Sequence, residues 1–196
     1  MSFKICVSGA AEGDCLNPET IEKAEKVGEA IAKSGAVLVT GATTGIPHAA
    51  AKGAKKENGI SIGFSPAASR ADHMKRYHLP VNYLDLIVYT GFGYSGRNLI
   101  LTRSADAVII ICGRIGTLNE FTVAFEDRKP IGILEGSGGM ADEIEDITRI
   151  AHKHQCQVLY ESNPKKIVEG LIEDLKERYK EDREKLTPVR TIENPE

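Results

Sequence analysis

Five consecutive apolar residues, Ala107–Ile111, run straight into Cys112-Gly113-Arg114-Ile115-Gly116-Thr117-Leu118-Asn119-Glu120. An unbroken apolar run of this kind suits a strand covered on both faces. Similar runs occur over residues 3–8, 36–40, 60–64, 86–90, 131–134 and 157–160. The segments between them carry apolar residues at helical spacing, as in Ile21, Ala24, Val27 and Ile31. This alternation predicts an α/β fold: a doubly wound, mostly parallel, Rossmann-like sheet with helices on both faces. Residues 1–186 read as a single nucleotide-binding domain and 187–196 as a C-terminal tail.

Punctuation supports the helices. Asn17-Pro18 and Asn163-Pro164 each place a capping side chain before a proline at the first helical position. Gly35 stops the first helix. Further helices are expected over about 97–104 and 141–154, and a loop over 65–80 carrying Arg70, His73, Lys75, Arg76 and His78. The last helix offers Ile167, Val168, Leu171, Ile172, Leu175 and Tyr179 as its apolar face, with a heavily charged stretch over 173–185. Such a stretch reads as a solvated face.

Glycine-rich segments follow the strands: Ser8-Gly9-Ala10-Ala11-Glu12-Gly13, Gly41-Ala42-Thr43-Thr44-Gly45, the 112–117 loop and Gly136-Ser137-Gly138-Gly139. Ligands of open α/β sheets bind at the carboxyl ends of strands. A turn that opens a helix there leaves free N–H groups and a positive dipole end, which suit phosphate. The candidate ligand residues are Gly9, Gly41, Thr43, Gly45, Gly113, Arg114, Ile115, Gly116, Thr117 and Gly138. Glu120 allows two readings. It is an acidic group beside the bound anion, or it closes a capping box from Thr117 as N-cap. Gly91-x-Gly93-x-x-Gly96 has the dinucleotide pattern, but it is not in the first βα turn and has no acidic residue at the end of the next strand.

The formal net charge of −3 gives no basic surplus for bulk nucleic-acid binding. No apolar stretch is long enough for a membrane span and no signal-peptide pattern is present, so a cytoplasmic protein is expected. Cys6, Cys15, Cys112 and Cys156 form no C-x-x-C pair, and the histidines show no ligand spacing, so no metal site is expected. Cys6 and Cys156 read as small buried thiols, Cys112 as a neighbour of the glycine loop. His152-Lys153-His154 reads as favourable charge at a helix end.

Together, Gly41-Ala-Thr-Thr-Gly45, Arg97-Asn98, Gly113-Arg-Ile-Gly116-Thr117-Leu-Asn-Glu120 and Gly136-Ser-Gly-Gly139 resemble the LOG-like family over roughly residues 3–160. That family includes the Lonely Guy phosphoribohydrolases and was once labelled "possible lysine decarboxylase". Its signature is P-G-G-x-G-T-x-x-E, with an arginine twenty-three positions before the glutamate, the separation of Arg97 from Glu120. The resemblance implies cleavage of the N-glycosidic bond of a nucleoside 5′-monophosphate to free base and ribose 5-phosphate. It implies Arg97 and Glu120 as the catalytic pair, with no cofactor required, and a homo-oligomer, dimer or tetramer. A carboxylate beside an oxocarbenium-like centre is chemically apt for that step.

Departures point elsewhere. Cys112-Gly113-Arg114 replaces Pro-Gly-Gly, Asn98 replaces the lysine of an R-K pair, and Asn119 replaces a frequent carboxylate. In these the chain resembles the molybdenum cofactor carrier subgroup, which implies a phosphorylated pterin held as cargo without turnover. Lysine decarboxylation is excluded, since no lysine sits in a pyridoxal phosphate context.

Overall fold

The computed structural model describes residues 2–151 and 157–185. The order of elements is β1 (Lys4–Gly9), α1 (Pro18–Lys33), β2 (Val37–Thr40), α2 (Ile46–Lys56), β3 (Ser61–Ser65), α3 (Arg70–Lys75), β4 (Leu86–Tyr89), α4 (Gly93–Ser104), β5 (Ala107–Ile111), α5 (Ile115–Glu126), β6 (Ile131–Leu134), α6 (Met140–Ile150), β7 (Val158–Glu161) and α7 (Pro164–Lys185). The strands form one sheet in the order β4-β3-β2-β1-β5-β6-β7. Every pairing is parallel. The fold is therefore the doubly wound Rossmann-like sheet that the alternation predicts.

Side chains of β5 alternate between two cores. Ala107, Ile109 and Ile111 join β1, α1, α2 and α7 on one face. Val108 and Ile110 join Leu101 of α4, Phe121 of α5 and Ile144 of α6 on the other. Ile109, Ile110 and Ile111 are fully buried. Each such side chain contributes about 1.5–3 kcal/mol of hydrophobic stabilisation. α1 packs closely on α2 because Gly28 has no Cβ to strike the Ala50 carbonyl.

The order in which strands are added reverses between β1 and β5. Strands β2, β3 and β4 spread to one side and β6 and β7 to the other. The crevice at such a switch point is where a doubly wound sheet accommodates a ligand. The glycine pattern at 91–96, by contrast, follows β4, an edge strand three places from β1.

Four local expectations change. The 65–80 segment contains α3, because Ser69 accepts a hydrogen bond from the Asp72 N–H and caps a short helix. α4 starts at Gly93 rather than at Arg97. Tyr179 is 55% exposed rather than part of the buried α7 face, and meets Phe3 edge-on. Thr117 is not an N-cap. Cys112 (φ 55°) and Gly113 (φ 106°) turn the chain early, Arg114 takes the cap position and α5 begins at Ile115. The end of the helix expected over 141–154, with His152-Lys153-His154, lies outside the described residues, as do Cys156 and the 187–196 tail.

Candidate functional site

Three strands deliver the floor of a cleft of about 490 Å³ at the switch point. β1 supplies Ser8, the turn after β2 supplies Gly41 and Thr43, and α5 supplies Thr117 and Glu120. α4 brings Arg97 and Asn98 across from the opposite wall.

Glu120 is at the centre of this floor. Its Oε2 accepts from the Ser8 hydroxyl, and its Oε1 lies 3.3 Å from Arg97 Nη1. Both partners of that ion pair are nearly fully buried. The Asn98 amide, turned with its nitrogen toward the carboxylate, donates to Oε1 at 2.8 Å and to the Tyr94 carbonyl at 2.9 Å. That orientation puts a donor against the carboxylate. Burial pushes the Glu120 carboxyl above its ordinary value, and Arg97 and then Ser8 pull it partly back. These contacts exclude the capping-box reading: Glu120 reaches across to β1 and α4, not back along its own helix.

Arg97 fits because Gly41 has no side chain. A Cβ there would collide with the guanidinium. The guanidinium carbon lies 5.9 Å from the Tyr94 ring centroid. Arg97 Nε has no hydrogen-bond partner among the described residues, although it is buried. A buried donor without a partner is costly, and a ligand group in the cleft can relieve that cost.

The N-terminus of α5 faces the same cleft through Arg114, Ile115, Gly116 and Thr117. No side chain caps it and no acidic residue lies in its first turn. Its leading N–H groups lack intrahelical acceptors, and the dipole favours an anion. Arg114 is exposed beside it and pairs with Glu12 at 2.8 Å. The cleft also has an aromatic wall. Tyr77 and Tyr94 meet edge to face at 5.6 Å, next to His78 and Leu79.

Of the expected residues, Gly9, Gly41, Thr43, Arg97, Arg114, Ile115, Gly116, Thr117 and Glu120 line this cleft. Gly45 stands outside it as the N-cap of α2. Gly113 lines a neighbouring hollow. Gly138 lies against Cys15. Ser8, Tyr77, His78 and Tyr94 also line the cleft, though none is among the candidate ligand residues read from the sequence. Ser8 opens the glycine-rich segment after β1, but its role depends on β1 pairing with β5, and the tyrosines carry no motif. Cys15 and Cys112, ninety-seven positions apart, are joined by a disulfide. Among the described residues no cluster of His, Cys, Asp or Glu could hold a metal ion, and no helix is long and apolar enough to cross a membrane.

The family model for the SLOG cluster4 family matches residues 2–168. The chain belongs to the SLOG cluster4 family. Its likeness to the LOG-like proteins, in the variant that resembles molybdenum cofactor carriers, accords with the other matches. An uncharacterized protein of Archaeoglobus fulgidus is 34% identical over 133 residues, 68% of this chain and 80% of that protein. The molybdenum cofactor binding protein of the phototrophic bacterium Rippkaea orientalis is similar with a TM-score of 0.73 and 30% identity, over 90% of this chain and 98% of that one. The molybdenum cofactor carrier protein of Chlamydomonas reinhardtii shares the fold of this SLOG cluster4 protein with a TM-score of 0.70 and 24% identity, over 90% and 99% of the two chains.

Proposed function

We propose that this protein binds a phosphorylated pterin of the molybdenum cofactor type, or a nucleotide-like equivalent, and releases it unchanged. The observation that carries this reading is the state of Glu120. Ser8 occupies one oxygen, Arg97 and Asn98 the other, and the side chain is 7% exposed. A carboxylate that orients water against a sugar carbon needs a lone pair facing the sugar, and three protein donors take most of the four or so that a carboxylate offers. Glu120 is instead a buried brace joining β1, α4 and α5 beneath the cleft. The anion-binding groups lie above it, at the open N-terminus of α5 and Arg114. Similarity to the Rippkaea orientalis protein supports the same cargo class.

A second reading, nucleoside monophosphate hydrolysis, rests on the Arg97–Glu120 pair, which keeps the family separation and lines the cleft. For that chemistry a remaining lone pair of Glu120 would have to face the sugar carbon.

The phosphate end is tested by comparing affinities for AMP against adenosine, and for a phosphorylated pterin against its dephosphorylated form. The phosphorylated member of each pair is expected to bind at least about tenfold more tightly, in keeping with charge-assisted hydrogen bonds. Equal affinities within both pairs would contradict the assignment of the α5 terminus.

A further inference from the structure

Two loops form the wall of the cleft nearest α5, and they are covalently joined. One follows β1 and carries Ala10, Ala11 and Glu12 on the cleft side. The other follows β5 and carries Arg114, Ile115 and Gly116. Cys15 of the first loop is bonded to Cys112 at the start of the second, with Cα atoms 6.0 Å apart. The exposed Glu12–Arg114 ion pair spans the same loops. We propose that this bond is a thiol–disulfide exchange site, opened by a dithiol reductant, and that opening it loosens the cleft and weakens its hold on the ligand. The coupling to ligand rests on the binding function proposed above.

Access to the two sulfurs is unequal. Cys112 is fully buried. Cys15 is half-buried and lines an open hollow with Glu12, Gly13, Asp14, Gly113, Arg114 and Gly139. An incoming thiolate therefore attacks Cys15 Sγ. The new bond forms there, the Cys15–Cys112 bond breaks, and the electron pair leaves on Cys112 Sγ. The backbone at Cys112 is fixed between two helix starts. α5 begins three residues after Cys112, and the Cys112 carbonyl accepts from the Ala141 N–H at the start of α6 at 2.8 Å. The reductant's second thiolate then attacks its own sulfur in the mixed disulfide, and Cys15 departs as thiolate. Two electrons pass to the protein, the two cysteines take up two protons, and the reductant leaves as its disulfide.

Little else holds the middle of the first loop. Ala10 accepts from the Ile46 N–H and Ala11 from the Thr44 hydroxyl, while Leu16 donates only to Gly13 within the loop. With the disulfide open, the surface Glu12–Arg114 pair is the remaining side-chain tie between the two loops among the described bonds, and exposed ion pairs contribute little. A preorganised wall favours ligand and a loosened one does not. By linkage, a ligand that prefers the oxidised protein about tenfold favours the disulfide by the same factor, about 30 mV.

The test uses the whole chain, oxidised or treated with dithiothreitol, with AMP and a phosphorylated pterin as probes. Two thiols are expected to become titratable in the folded protein. Amide exchange over residues 10–16 should accelerate about tenfold while β1 and β5 are unchanged, and probe affinity should fall about tenfold. Cys15→Ser, at the accessible end, should reproduce both changes without reductant. Thiols that appear only on unfolding, or exchange over 10–16 that is identical in the two states, would overturn the exchange site. Equal probe affinity in both states would overturn its coupling to the cleft. If neither state binds the probes but the loop still responds to reductant, the carrier function fails and the exchange site stands.

Discussion

The cleft at the switch point and the groove between α1 and α7 are similar in size, about 490 and 530 Å³. They differ in how their charges are used. The groove contains Lys26, Lys33 and Lys165, each already paired: with Glu22 at 2.7 Å, Glu57 at 3.1 Å and Glu169 at 3.5 Å. The cleft contains an uncapped helix N-terminus and a buried arginine with a donor to spare, while Arg114 at its edge is paired with Glu12. Volume does not separate the two; donors without partners do. The groove is a seam between surface helices, and the cleft presents donors that have no partner in the protein.

The largest effect should come from cutting the buried brace. Arg97→Met leaves the Glu120 carboxylate without its ion pair, and unfolding stability should fall by about 3 kcal/mol in denaturant titration. No loss would mean that the cleft floor is not braced as described. Arg114→Ala comes next. It should weaken AMP or pterin phosphate binding about tenfold while leaving unfolding stability within about 0.5 kcal/mol, because its ion pair is exposed. Unchanged binding would remove Arg114 from the anion site.

A pH series gives a smaller, signed effect. The folded Glu120 carboxyl titrates above its ordinary value of 4.5. The stability it contributes is therefore full below about 4.5 and is lost as pH rises through the folded value. The stability of wild type minus that of Glu120→Gln should shrink as pH rises above 4.5. A difference that grows would reverse the assigned balance of burial against Arg97. Smallest of all, Lys165→Ala in the groove should leave probe affinity unchanged and stability within about 0.5 kcal/mol. Loss of binding there would erase the distinction between the two cavities.

Elements set by local pattern were legible in the sequence. The apolar runs give the strands, and Asn17 caps α1 as its placement before Pro18 suggests, while the Arg97–Glu120 pair, expected from the family resemblance and not from local pattern, is in contact. Features that depend on pairing of distant strands were not. The Ser8–Glu120 contact requires β1 beside β5, and the Cys15–Cys112 bond requires the loops after those strands to meet. Local rules also misplaced the start of α5. Thr117-x-x-Glu120 has the form of a capping box, but a turn at positive φ through Cys112 and Gly113 starts the helix three residues earlier and frees Glu120 for the cleft. Tyr77 and His78 follow α3 in a segment whose composition reads as loop, and nothing in that composition places either residue, His78 included, at the cleft.

The central claim, a cleft that holds its ligand without breaking it, is tested most directly by recovery. The protein is incubated with AMP and with a phosphorylated pterin, and bound and free species are then identified by mass. The account predicts saturable binding with each ligand recovered intact and no ribose 5-phosphate formed. Ribose 5-phosphate released by the wild type, and lost in Glu120→Gln, would contradict it and make the buried pair a catalytic one.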